Sequence, residues 1–147
     1  MPTILLIEAS DMTCSSTSTP LEKAGFDVIE SRNGSYALQV LKNLKPDLVI
    51  CNTQLPDMSG YEVLTILRNT PSTHRVPCIL CSTSISYAEC RKAMQLGAND
   101  LLQDPIQLEE LLEAILLQIT EFKTIAPTGF ASLREIATLK RPGIFGV

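Results

Sequence analysis

Residues 46–64 read Pro46-Asp47-Leu48-Val49-Ile50-Cys51-Asn52-Thr53-Gln54-Leu55-Pro56-Asp57-Met58-Ser59-Gly60-Tyr61-Glu62-Val63-Leu64. Four consecutive apolar residues, 48–51, form a short run suited to a strand buried on both faces. A polar loop follows, and a helical pattern begins at Gly60. The same unit recurs along the chain. Strands are expected at 3–7, 27–31, 48–51, 78–81 and 100–102. Helical patterns lie between and after them, at 34–43, 60–69, 86–96 and 107–123. Gly25 and Gly97 fall where helices should end, the usual place for a left-handed residue. Strands alternating with helices imply βαβ units and a parallel sheet. Five such units fit a flavodoxin-like, doubly wound α/β fold, (βα)5, with strand order 2-1-3-4-5. In such sheets the ligand crevice lies at the carboxyl ends of strands one, three and four.

Composition narrows the function classes. The chain has 147 residues, 45% of them hydrophobic, enough for one domain with a real core. Its net charge is −4 and it carries no basic stripe, which argues against nucleic-acid binding. No apolar run approaches a membrane span, and no signal peptide is apparent, so a cytoplasmic protein is expected. The five cysteines, Cys14, Cys51, Cys78, Cys81 and Cys90, are an odd number without a secretory context. Cys78 and Cys81 sit in one strand at a spacing that puts them on opposite faces. They read as small buried hydrophobes and not as a metal or redox pair. With His74 the single histidine, no metal site and no cofactor are expected.

Three segments are less regular. Residues 12–19 are rich in Ser and Thr and are followed by Pro20, a poor helix composition. Either a short helix capped by Ser18 or Thr19 has Pro20 in its first turn, with residues 11–17 as a loop, or tertiary packing holds a longer helix despite its propensity. The last helix is apolar beyond a normal buried stripe: Leu108, Leu111, Leu112, Ala114, Ile115, Leu116, Leu117, Ile119 and Phe122. The excess calls for a cover, either the C-terminal tail or a second protein surface. Residues 124–147 form an extension beyond a main domain of residues 1–123, with a short amphipathic helix expected at 131–140.

The segment at 46–64, the Gly97-Ala98-Asn99-Asp100 turn and the Asp104-Pro105 pair occur in an order and spacing that resembles response-regulator receiver domains. The resemblance covers roughly residues 3–123. It implies a crevice in which a carboxylate ending strand three accepts a phosphoryl group from a histidine kinase. Here that position is Asn52, whose amide is a poor nucleophile without negative charge. Two acidic residues after strand one hold Mg²⁺ in the family; here they are Glu8 and Ala9. Asp11 is close by in sequence. The hydroxyl after strand four is retained as Ser82. The lysine expected after strand five, which would pair with the phosphoryl oxygens, is replaced by Asp104. An aromatic in strand five, which switches with the hydroxyl, is replaced by Leu101. Pro105 keeps the position where the family often has a cis peptide.

These departures act together. Mg²⁺ favours octahedral oxygen ligation, and two expected carboxylates are missing. Phosphoryl transfer needs cationic partners, and Asp104 supplies the opposite sign. The expected protein is therefore a pseudo-receiver rather than an enzyme, a phosphorylation-independent interaction module of a two-component pathway. Its expected partner is a signalling kinase, regulator or output protein, with a homodimer through the helix 4–strand 5–helix 5 face as one form. The competing reading is a small-ligand sensor that reuses the crevice of Glu8, Asn52, Ser82 and Asp104. No Gly-rich phosphate loop or nucleophile elbow supports a different enzyme.

Overall fold

The computed structural model describes residues 2–119. Two compact units divide the chain, Met1–Pro105 and Ile106–Val147. The first contains β1 (Thr3–Ile7), α1 (Asp11–Lys23), β2 (Asp27–Ser31), α2 (Gly34–Asn43), β3 (Leu48–Asn52), α3 (Gly60–Asn69), β4 (Cys78–Ser82), α4 (Tyr87–Leu96) and β5 (Asp100–Gln103). The second contains α5 (Leu108–Gln118). The expected extension at 124–147, its helix at 131–140, Phe122 and the boundary at residue 123 lie outside the described residues.

The five strands are parallel and ordered β2-β1-β3-β4-β5, the flavodoxin-like α/β arrangement. Strand alternation sorts the interior into two faces. Leu5, Ile7, Val49, Cys51, Cys78 and Leu80 belong to a buried cluster with Ala37 and Leu41 of α2, Val63, Leu64 and Leu67 of α3, and Ala93 of α4. Ile4, Leu6, Leu48, Ile50, Ile79 and Cys81 occupy the alternate positions and are equally inaccessible. Burial on both faces explains why β3 and β4 are unbroken apolar runs.

The first helix resolves the open alternatives in favour of the longer one. It runs from Asp11 to Lys23 with Ser10 as its cap and Pro20 inside it, so the short helix beginning near Ser18 does not occur. Propensity does not explain it. Packing does: Cys14, Thr17, Ser18 and Leu21 form its buried face, and the helix lies on β1 and β2. That burial offsets the hydrogen bond that Pro20 cannot donate. Gly97 ends α4 at φ 95°, the left-handed cap expected there. Asn33 caps α2, its side chain accepting from the Tyr36 N–H at 2.8 Å. In α5, Leu111, Leu112, Ala114, Ile115, Leu116 and Ile119 are buried, whereas Leu108 and Leu117 are exposed.

Candidate functional site

Register brings the site together. Leu6, Ile50 and Ile79 are aligned across β1, β3 and β4. Two residues further along each strand stand Glu8, Asn52 and Cys81, with Leu102 beside Cys81. A period of two keeps all of them on one face of the sheet, and Asp104 follows Leu102 by the same step. The carboxyl ends of four strands thus deliver two carboxylates, an amide and a thiol to one crevice.

Asn52 is at its centre. Its Nδ2 donates to Glu8 Oε1 at 3.0 Å and to Asp104 Oδ2 at 3.1 Å. Its Oδ1 accepts from the Gln54 backbone N–H at 2.9 Å. The two ends of the amide are therefore distinguished by their partners. An aspartate could accept from Gln54 but would turn its other oxygen toward two carboxylates. A primary amide carries one acceptor and two donor hydrogens, which is the set this position calls for.

The electrostatics follow from burial. Glu8 is 1% exposed, and desolvation pushes its carboxyl up to about 7. The Asn52 hydrogen bond opposes that rise, and the Asp104 charge adds to it. Asp104 is also raised, by burial against the pull of Asn52. Glu8 Oε2 is buried without a hydrogen-bond partner. Such an atom is costly unless a proton or a cation meets it.

The remaining expected positions divide. Ala9 is exposed and supplies no oxygen ligand. Asp11 does not join the crevice; it is exposed and pairs with Arg32 at 2.5 Å. Ser82 is buried, but its hydroxyl is engaged locally, donating to Ser84 O at 3.0 Å and accepting from Ser84 N–H at 3.2 Å. Leu101 packs against the cluster under α2, α3 and α4 as an ordinary aliphatic side chain. Asp104–Pro105 is a cis peptide, as the pattern implied.

Two contributors escaped the sequence reading. Cys81 lies with Glu8 and Asp104 so that one ligand atom of each falls within 4.8 Å of the others. Its register opposite Asn52 was the available signal. Gly60 is the other. A Cβ there would lie 2.2 Å from the Asn52 carbonyl oxygen, so only glycine lets α3 start against the end of β3.

The family model of the response regulator receiver domain matches residues 4–116 of the chain. The chain belongs to the receiver family. Among receiver relatives, it is 34% identical over 96 residues to the chemotaxis protein CheY of Bacillus subtilis, covering 65% of this chain and 78% of that protein. It is 25% identical over 112 residues to the polar-differentiation response regulator DivK of Brucella anthropi, covering 76% and 91%. The fold is also that of the chemotaxis response regulator CheY4 of Vibrio cholerae, with a TM-score of 0.74 at 24% identity over 78% of this chain and 96% of that one. As a receiver, the module belongs to two-component signalling. Among the described residues, no helix is long and apolar enough to cross a membrane.

The Mg²⁺ that receivers hold does not fit the residues of this receiver. Of the positions where the resemblance implies ligating carboxylates, Glu8 alone carries one, with Ala9 and Asn52 at the others and Asp11 paired with Arg32. A hard, octahedral ion needs more oxygen donors than this set provides.

Proposed function

We propose that this receiver is a pseudo-receiver, a cytoplasmic interaction module that works without phosphorylation and catalyses no reaction. One observation carries the reading: the Asn52 amide donates to both Glu8 and Asp104, so position 52 serves the two carboxylates as a donor and offers no nucleophile. The acceptor position has no nucleophilic carboxylate, and the position of the phosphate-pairing cation holds an anion. Among the described residues, an incoming phosphoryl group would meet the two carboxylates of Glu8 and Asp104, with Asp104 where the resemblance implies a pairing cation. Ser82 is bonded within its own loop, and Leu101 has no polar tip to couple to it. Signalling would then run through steric docking of a kinase, regulator or output protein, or through a second copy of the chain. Tyr87 and Met94 of α4, 76% and 51% exposed, offer apolar contact area for such docking.

The test is incubation with acetyl phosphate and Mg²⁺ followed by intact-mass measurement, alongside an amide NMR titration with beryllofluoride. Unchanged mass and unmoved resonances at Glu8, Asn52 and Ser82 are expected. A phosphate adduct, or saturable shifts at those residues, would return the protein to the phosphorylatable receivers.

A further inference from the structure

We propose that Glu8, Cys81 and Asp104 form a binding site for a borderline divalent transition-metal ion of the zinc class. The inference goes beyond the signalling reading and does not rest on it. It starts from the donor set. One carboxylate oxygen from each acid and the Cys81 sulfur lie within 4.8 Å of one another. Tetrahedral ligation with Zn–S near 2.3 Å and Zn–O near 2.1 Å places ligand atoms roughly 3.5 Å apart, so closing on an ion needs a contraction of at most about 1.3 Å.

A second observation falls on the same carboxylate. The Glu8 carboxylate is 1% exposed, and while Oε1 receives the Asn52 amide, Oε2 has no partner. A buried carboxylate oxygen without a donor is a position a cation satisfies. Asn52 fits the arrangement as the residue that orients the ligands. By holding Glu8 Oε1 and Asp104 Oδ2, it fixes both carboxylates from one side and leaves Glu8 Oε2 to the ion. Metal-bound carboxylates characteristically carry hydrogen bonds of this kind.

The sulfur sets the choice of ion. Thiolate selects zinc-like ions, whereas Mg²⁺ and Ca²⁺ take oxygen. Three protein ligands leave the fourth tetrahedral position to water. The site is distinct from the Mg²⁺ ligation of phosphorylatable receivers in two of its three residues. It also gives Asp104 a role that its loss of phosphate pairing does not.

The test uses the full chain, freed of metal with a chelator and titrated with Co²⁺ as a spectroscopic stand-in for Zn²⁺. A thiolate-to-cobalt charge-transfer band is expected, saturating at one ion per chain. Zn²⁺ should displace it, and excess Mg²⁺ should not. Cys81→Ser should remove the band, while Cys90→Ser should leave it intact. Because Cys81 is fully buried and its variant could fold poorly, Glu8→Gln is the second variant. It keeps shape and thiol and should weaken Zn²⁺ binding by more than ~10-fold, the lower end of what even indirect partners of a metal ligand contribute. The proposal is overturned by an absent band in folded wild-type protein, by a band that survives Cys81→Ser or disappears with Cys90→Ser, or by unchanged Zn²⁺ affinity in Glu8→Gln.

Discussion

Asn52→Asp would place a third carboxylate beside Glu8 and Asp104, and it is expected to harm this protein. The substitution deletes the amide hydrogens donated at 3.0 Å to Glu8 and 3.1 Å to Asp104. Hydrogen bonds to charged groups contribute about 1.5–3 kcal/mol each, so losing both costs about 3–6 kcal/mol. The new carboxylate also stands beside two others. At such separations like charges repel by roughly 5 kcal/mol even at an effective dielectric constant of 20, enough that the cluster takes up a proton instead. The loss at pH 8 should therefore be about 3 kcal/mol or more, a large share of a typical domain's 5–15 kcal/mol. It should shrink toward pH 5, where a protonated carboxyl donates in place of the amide. Urea denaturation at both pH values reads this directly as a shift in midpoint at constant slope. Adding Asp104→Lys should recover most of the loss, with a positive coupling in the double-mutant cycle. Neither variant with Ala9 in place should accept phosphate from acetyl phosphate. An Asn52→Asp protein as stable as wild type at pH 8, or one destabilised further by Asp104→Lys, would refute the argument that the two carboxylates require the amide.

Two further outcomes test the neighbourhood. Glu8 has a folded-state pKa raised from 4.5 to about 7, chiefly by burial, so its neutral form stabilises the fold. That contribution is complete below about pH 4.5 and is lost as pH rises to about 7, a fall of up to about 3 kcal/mol. In chelator-treated protein, Glu8→Gln should abolish most of this fall in denaturation curves taken across the window. A slope equal to wild type would show that Glu8 titrates normally. Gly60→Ala should cost roughly 1–3 kcal/mol by overpacking, because its Cβ would meet the Asn52 carbonyl oxygen and the Thr53 Cα, backbone atoms that cannot turn aside. Thermal melts would report the loss, and the Asn52 side-chain amide resonances should move with it.

Much of this was legible along the chain. The run at 48–51, its counterparts at 3–7 and 78–81, and the helical patterns between them determined a doubly wound sheet, because strand and helix periods differ and only one layer arrangement buries both strand faces. The resemblance to receivers, carried by the segment at 46–64, the turn at 97–100 and Asp104-Pro105, pointed to Glu8, Ala9, Asn52, Ser82 and Asp104, which follow strand ends that a parallel sheet gathers at one edge. Against that resemblance, the alanine at 9, the amide at 52 and the carboxylate at 104 stood out as departures.

Tertiary structure decided what those letters do. Helix α1 exists because Cys14, Thr17, Ser18 and Leu21 are buried, a gain that residues 12–19 could not reveal when judged by propensity. Asp11, adjacent in sequence to the crevice, is drawn away by Arg32, 21 positions along the chain. Cys81 read as a small hydrophobe until strand register set its sulfur beside two carboxylates. The meaning of Asn52 changed most. In sequence it is an amide where the resemblance implies a carboxylate. In the fold it is the donor between Glu8, 44 positions before it, and Asp104, 52 positions after it. Hydrogen bonds and desolvation act through space over a few ångströms. Local pattern therefore determined where the strands end, and only the folded chain determined which groups face each other there.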